Sequence, residues 1–153
     1  MIEPIDALLT GWTAPGVWSI DTLPDDLAPR AEGLGWRPLV VEGEHASKES
    51  FLAAVREAAT FPEWVGNNWD AFEEVMRDLS WLPSAPLLLV LTSPVPDTAV
   101  EILIDVARHW DRHQRRFAVV ISGQSLGRAA SELPQLDRLP VIGQSPPRRS
   151  SGQ

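Results

Sequence analysis

The chain of 153 residues carries 21 acidic against 13 basic side chains, a formal net charge of −8, and no cysteine. A chain of this length buries roughly 70% of its unfolded surface, so its 44% hydrophobic content builds a core without disulfides or a structural metal. The missing Cys excludes disulfide frameworks, thiolate nucleophiles and zinc knuckles, and the acidic excess disfavours direct binding of nucleic acid or anionic membranes, whose phosphates need clustered Lys and Arg. What the charge does favour is a cationic partner, through steering.

From the N-terminus, Met1 is followed by Glu3, Pro4 and Asp6 rather than by a basic stretch and an apolar run, so no secretory leader is expected. The longest apolar run, residues 86–91, falls far short of the ~20 residues that span a bilayer, and the expectation is a soluble cytoplasmic protein. Residues 17–20, 38–41, 87–91 and 117–121 form four short apolar runs of strand length. Runs that do not alternate with polar residues suit strands covered on both faces, and helical patterns lie between them, which predicts an α/β fold with parallel strands in the order βαβααβαβ. Residues 25–33 read as a weak helix disturbed by Pro29 and closed by Gly33 or Gly35. Ser47 caps a helix running to Ala59, with Phe51, Val55, Ala58 and Ala59 on one side. Thr98 and Glu101 suggest a capping box for a long helix to about Gln114, with Val100, Leu103, Ile104, Ala107 and Trp110 inward. Residues 144–153 have nothing to bury and are expected to be a disordered tail.

Between these elements, residues 61–82 carry five acidic residues (Glu63, Asp70, Glu73, Glu74 and Asp78) against Arg77, a net of −4 and half the chain's excess. Residues 105–116 are net positive. Pro62 and Gly66 punctuate a loop, and Asn67 or Asn68 caps the helix that follows. Trp69, Phe72, Met76 and Leu79 share its inward side, so Asp70, Glu73 and Glu74 point to solvent near the helix N-terminus, where carboxylates gain about 0.3–1 kcal/mol each. Pattern alone reads this as a solvated helix face, with Glu73 and Glu74 both in reach of Arg77 and with Trp64 and Trp69 in the core.

The string Trp64-Val65-Gly66-Asn67-Asn68-Trp69-Asp70-Ala71, preceded by Phe61-Pro62-Glu63 and followed by Glu74, resembles the signature of the barstar family, intracellular protein inhibitors of secreted barnase-type ribonucleases. The element order over residues 37–122 is similar to that family's. The resemblance implies a three-layer-like α/β fold with a small, mostly parallel sheet of three strands, to which residues 17–20 add a fourth at one edge. It divides the chain into an N-terminal extension (1–36) with this extra strand and a short helix, packed on a barstar-like domain (37–143), and the tail. It also implies a partner, a basic ribonuclease or related toxin, whose RNA-binding cleft the loop and second helix would plug. Asp70 would be the central anion and Glu74 the second acidic position, one methylene longer than the prototype's Asp. Trp64 matches the aromatic contact, Asn68 the family's Asn and Gly66 its turn glycine, with Asn67 in the same loop. Val65 and Glu73 stand where the prototype has an aromatic and a Trp, which makes the implied interface less aromatic and more acidic. A second reading is a protein of the same fold that binds a different basic partner.

Other motifs point to chemistry less well. The string Gly123-Gln124-Ser125-Leu126-Gly127 has the form of a nucleophile elbow, but His45, His109 and His113 all lie upstream of the serine, the wrong order for a hydrolase of that type. Asp105, His109 and His113 share a helix face at a spacing that suits a metal, without a second ligand cluster. A glycoside hydrolase needs two carboxylates flanking a cleft, which one convex helix does not supply. The sequence therefore assigns no catalytic residue, no metal and no cofactor, and it does not specify an oligomeric state.

Overall fold

Four parallel strands form one sheet in the order β1-β4-β3-β2, with β1 at Val17–Ile20, β2 at Arg37–Val40, β3 at Leu87–Thr92 and β4 at Phe117–Ser122. The computed structural model describes residues 2–43, 45–92, 94–123 and 127–138. The predicted disordered tail and Ser125 of the elbow-like string lie outside them.

The central strands explain why their runs do not alternate. Side chains of a strand point to opposite faces in turn, and here both faces are covered. Leu87, Leu89, Leu91, Phe117, Val119 and Ile121 face one core, shared with α3 (Lys48–Ala59), α4 (Trp69–Met76) and α5 (Asp97–Arg112). Leu88, Val90, Ala118 and Val120 face a second, built with α1 (Pro4–Thr10) and α2 (Leu27–Gly33). The result is a three-layer α/β arrangement, in which residues before position 36 supply β1 and the cover of the second face.

The strand at residues 17–20 does add an edge to the sheet, beside β4. Its outer side is closed in turn: the Ser19 amide donates to the Pro134 carbonyl at 3.0 Å, and Gln135 Nε2 donates to Asp21 Oδ1 at 2.7 Å. An edge strand with free backbone groups invites pairing with other chains, and the segment before the short 3-10 turn Leu136–Arg138 removes that opportunity.

Several elements differ from expectation, each for a local reason. Helix α1 was not anticipated, although Pro4 at its first position, Gly11 in the left-handed conformation (φ 91°) after its end, and buried Ile5, Leu8 and Leu9 are the usual marks of a short helix. Helix α2 begins at Leu27, which puts Pro29 in the first turn, where its absent N–H has no helical acceptor to lose. The capping box at Thr98 and Glu101 does not form: Pro96 precedes the helix, which starts at Asp97 without a side-chain cap. Asp97 Oδ1 instead accepts the Ala129 amide at 3.0 Å from α6 (Arg128–Ser131), and Glu101 faces Arg128 at 3.4 Å. Helix α5 ends at Arg112, two residues early, and Val106 joins its buried stripe while Ile104 and Trp110 are only partly covered. Helix α4 stops at Met76, and Leu79 reaches the core from a turn residue with φ 51° rather than from the helix.

Candidate functional site

Helix α3 prepares the loop that follows it. Ser47 and Ser50 close a reciprocal capping box at its start, and Thr60 ends it in the left-handed conformation at φ 50°, which turns the chain sharply into residues 61–68. Arg56, in the last turn, reaches across this loop. Its guanidinium donates to the Val65 carbonyl, to the Pro62 carbonyl at 3.5 Å and to Asn67 Oδ1 at 3.0 Å, and lies 5.9 Å from the centre of the Phe61 ring. The Val65 amide also bonds back to the Pro62 carbonyl at 3.1 Å.

The two asparagines divide the work. Asn68 caps α4, its Oδ1 accepting the Ala71 amide at 2.8 Å, whereas Asn67 is tied to Arg56. Gly66 has no left-handed φ. Its constraint is space, because a Cβ there would lie 3.1 Å from Asn68 Nδ2, so a larger residue would push on the cap itself.

Trp64 on the loop is 74% exposed and lines one groove with Glu74, and Asp70 and Glu74 are both exposed on α4. Trp64 is therefore not core, while Trp69 is partly buried against Phe51 and Phe72. Val65, expected on the partner-facing side, has its side chain in the core at 5% exposure, because the loop turns inward at that residue. Glu73 pairs with Arg77 at 2.7 Å one turn on, and Glu74 does not share that cation as the spacing had suggested. Among the described residues, neither Asp70 nor Glu74 has a cation within ion-pair distance. Among the described residues two carboxylates are thus left without a cation, and a third is satisfied locally.

A shallow groove of about 330 Å³ separates loop from helix, lined by Trp64, Val65, Gly66, Ala71, Glu74, Val75 and Asp78. One wall is apolar and the other carries Glu74 and Asp78, the latter held by the Ser80 hydroxyl at 2.9 Å. That is the chemistry of a cradle for a cationic side chain, with an aromatic face for cation–π contact. Sequence reasoning missed Arg56 and the lining role of Asp78. A basic residue in the last helical turn before a Pro- and Gly-marked loop was the available signal for Arg56.

The metal-like trio on α5 and at its C-cap is otherwise engaged. Asp105 pairs with Arg108 at 3.4 Å, His113 Nδ1 lies 2.8 Å from the His109 carbonyl, and the two imidazole rings are 4.2 Å apart. No group of His, Asp and Glu suited to a metal occurs among the described residues. Desolvation, then His113, Arg77 and Arg112, hold His109 below the ordinary histidine range. Because its folded pKa is depressed, stability is fully present above about pH 6.5, the usual unfolded value, and declines as pH falls through that value toward the lower folded one. Urea midpoints measured from pH 8 to 5 should fall below pH 6.5, and His109→Gln should flatten that decline.

A model of the family described as Barstar (barnase inhibitor) matches residues 36–122, more than half of the chain and the span from the entry of β2 to the end of β4, with the loop and α4 inside it. No individually curated protein and no solved structure matched the chain. No helix among the described residues is long and apolar enough to cross a membrane. The matched span, with three of the four strands, the loop and the helix N-terminus it contains, places this chain in the barstar family.

Proposed function

We propose that the chain inhibits a barnase-type ribonuclease, or a related basic toxin, by seating residues 61–82 in the enzyme's cationic cleft. The observation that carries this reading is the exposure of Trp64, which shares a groove with Glu74, together with Asp70 and Glu74 on α4, two carboxylates with no internal cation among the described residues, in a member of an inhibitor family. An enzyme that binds RNA presents positive groups to phosphates, and carboxylates on a preformed surface occupy the same positions without offering a bond to cleave. Asp70 and Glu74 meet those cations, Trp64 supplies the flat apolar contact, and the groove beside it accepts a cationic side chain of the target. Gly66, Asn67 and Asn68 shape the loop. Val65 anchors it from the core, and Glu73 acts with Arg77 at the rim. The chain contributes binding and no catalytic step.

Purified barnase is the first probe. Increasing amounts of the protein should abolish RNA hydrolysis at a 1:1 ratio, and the association rate should fall as ionic strength rises and the screening length shrinks to about 10 Å at 0.1 M salt. A failure to inhibit barnase and a panel of other basic microbial ribonucleases would overturn the proposal. Glu73, locked to Arg77 where the family prototype presents a Trp, favours a second reading in which the same face binds a basic protein that is not a ribonuclease. Tight, salt-sensitive binding of such a protein without ribonuclease inhibition would support it.

A further inference from the structure

We propose that Arg56 is the positioning residue of the docking loop: it holds Trp64 and the start of α4 in their partner-competent arrangement without itself meeting the partner. This rests on the inhibitory reading above. The loop has no regular secondary structure between Thr60 and the start of α4 at Trp69; Phe61 and Val65 pack on the core, but Trp64 between them is largely in solvent, so packing of its own side chain does not fix the stretch around it. Arg56 supplies the hold from outside. Its guanidinium donates to the carbonyls of Pro62 and Val65, which flank Trp64 on both sides, and to Asn67 Oδ1 next to the cap of α4. A guanidinium presents several donors in a rigid fork, and here a single fork spans six residues of loop.

Two further observations set Arg56 apart from an ordinary surface arginine. Among the described residues it makes no ion pair with a carboxylate, although Glu57 adjoins it in sequence and Glu49 lines the same hollow of about 450 Å³ beside it. Its donors go instead to loop oxygens. Its position in the last turn of α3 also sets the guanidinium directly against the loop that leaves the helix at Thr60. The Phe61 ring under the guanidinium and the Val65 side chain in the core complete a short bracket, so that the segment is ordered before a partner arrives. Preorganisation of this kind raises affinity by reducing the freedom lost on binding. A loop that is competent only a tenth of the time binds about ten times more weakly.

The test uses the full chain, with nitrogen-15 relaxation and amide exchange of the free protein alongside binding to barnase. Arg56→Met keeps the aliphatic stem and removes the donors. It should lower the backbone order of residues 63–67 and speed exchange of the Val65 amide, leave exchange in β3 and β4 unchanged, and weaken barnase binding about tenfold. Arg56→Lys, with a charge but no fork, should recover part of both effects. Unchanged loop order and affinity in Arg56→Met would overturn the proposal. So would weaker binding with an unchanged loop, which would mean that Arg56 touches the target directly. Asp70→Ala separates the two readings: if it too leaves barnase binding unaltered, the inhibitory reading fails, and the loop order of the free protein alone decides the role of Arg56.

Discussion

Replacing Asp70 by alanine is expected to weaken binding of the cognate ribonuclease by about 2–5 kcal/mol, roughly 30- to several-thousand-fold, chiefly through faster dissociation. Asp70 is the second residue of α4, exposed, and without a cation in ion-pair range among the described residues. In the complex it would be desolvated against the positive groups that normally hold phosphate, and its removal would leave those groups buried and unpaired. In the free protein the same substitution removes only a favourable contact with the helix N-terminus, worth about 0.3–1 kcal/mol. Thermal stability should therefore hardly move while the dissociation rate rises steeply. Asp70→Asn keeps the shape and should behave nearly as alanine does. Glu73→Ala should have a much smaller effect, because its charge is already met by Arg77 at 2.7 Å. Surface plasmon resonance with a chase of free inhibitor measures these rates. An Asp70→Ala protein that dissociates at the wild-type rate would exclude the charge-plug mechanism.

Phe72→Ala should produce the largest loss of stability at the site, about 3–5 kcal/mol, with a melting temperature lower by roughly 10–15 °C. The Phe72 ring is 1% exposed and meets Phe51 and Trp69 edge-on at 5.4 and 6.0 Å. Helix α4 has only eight residues, too few to persist alone in water, so it exists because Phe72, Val75 and Met76 dock it on the sheet. The substitution removes the largest of these three and opens a cavity between α3 and α4. Chemical denaturation should show a lower midpoint with an unchanged slope, and Phe72→Leu should lose less. Stability within 1 kcal/mol of wild type would mean that the helix is held in some other way.

What the sequence decided for itself is local and periodic. Apolar runs at residues 87–91 and 117–121 with no polar alternation required strands covered on both faces, and β3 and β4 are those strands. The spacing of Trp69, Phe72 and Met76 required an inward helix side and so an outward one, which places Asp70 and Glu74 in solvent. The string from Phe61 to Ala71 was distinctive enough to indicate the family. Periodicity relates a residue to the axis of its own element and says nothing of what lies across space, and the remainder turned on that. Only the folded chain distinguishes Asn68 as the cap from Asn67 as a ligand of Arg56. Only it separates Glu73, neutralised by Arg77, from Asp70 and Glu74, which meet no cation among the described residues. Val65 turned inward and Trp64 outward because the loop reverses between two carbonyls held by an arginine from the preceding helix, a contact that spans six to nine residues and matches no helical or strand repeat. The same limit hid the strand order: β1 and β2 follow one another in the chain yet stand at opposite edges, because α2 must cross the sheet to cover the face that α3, α4 and α5 leave open.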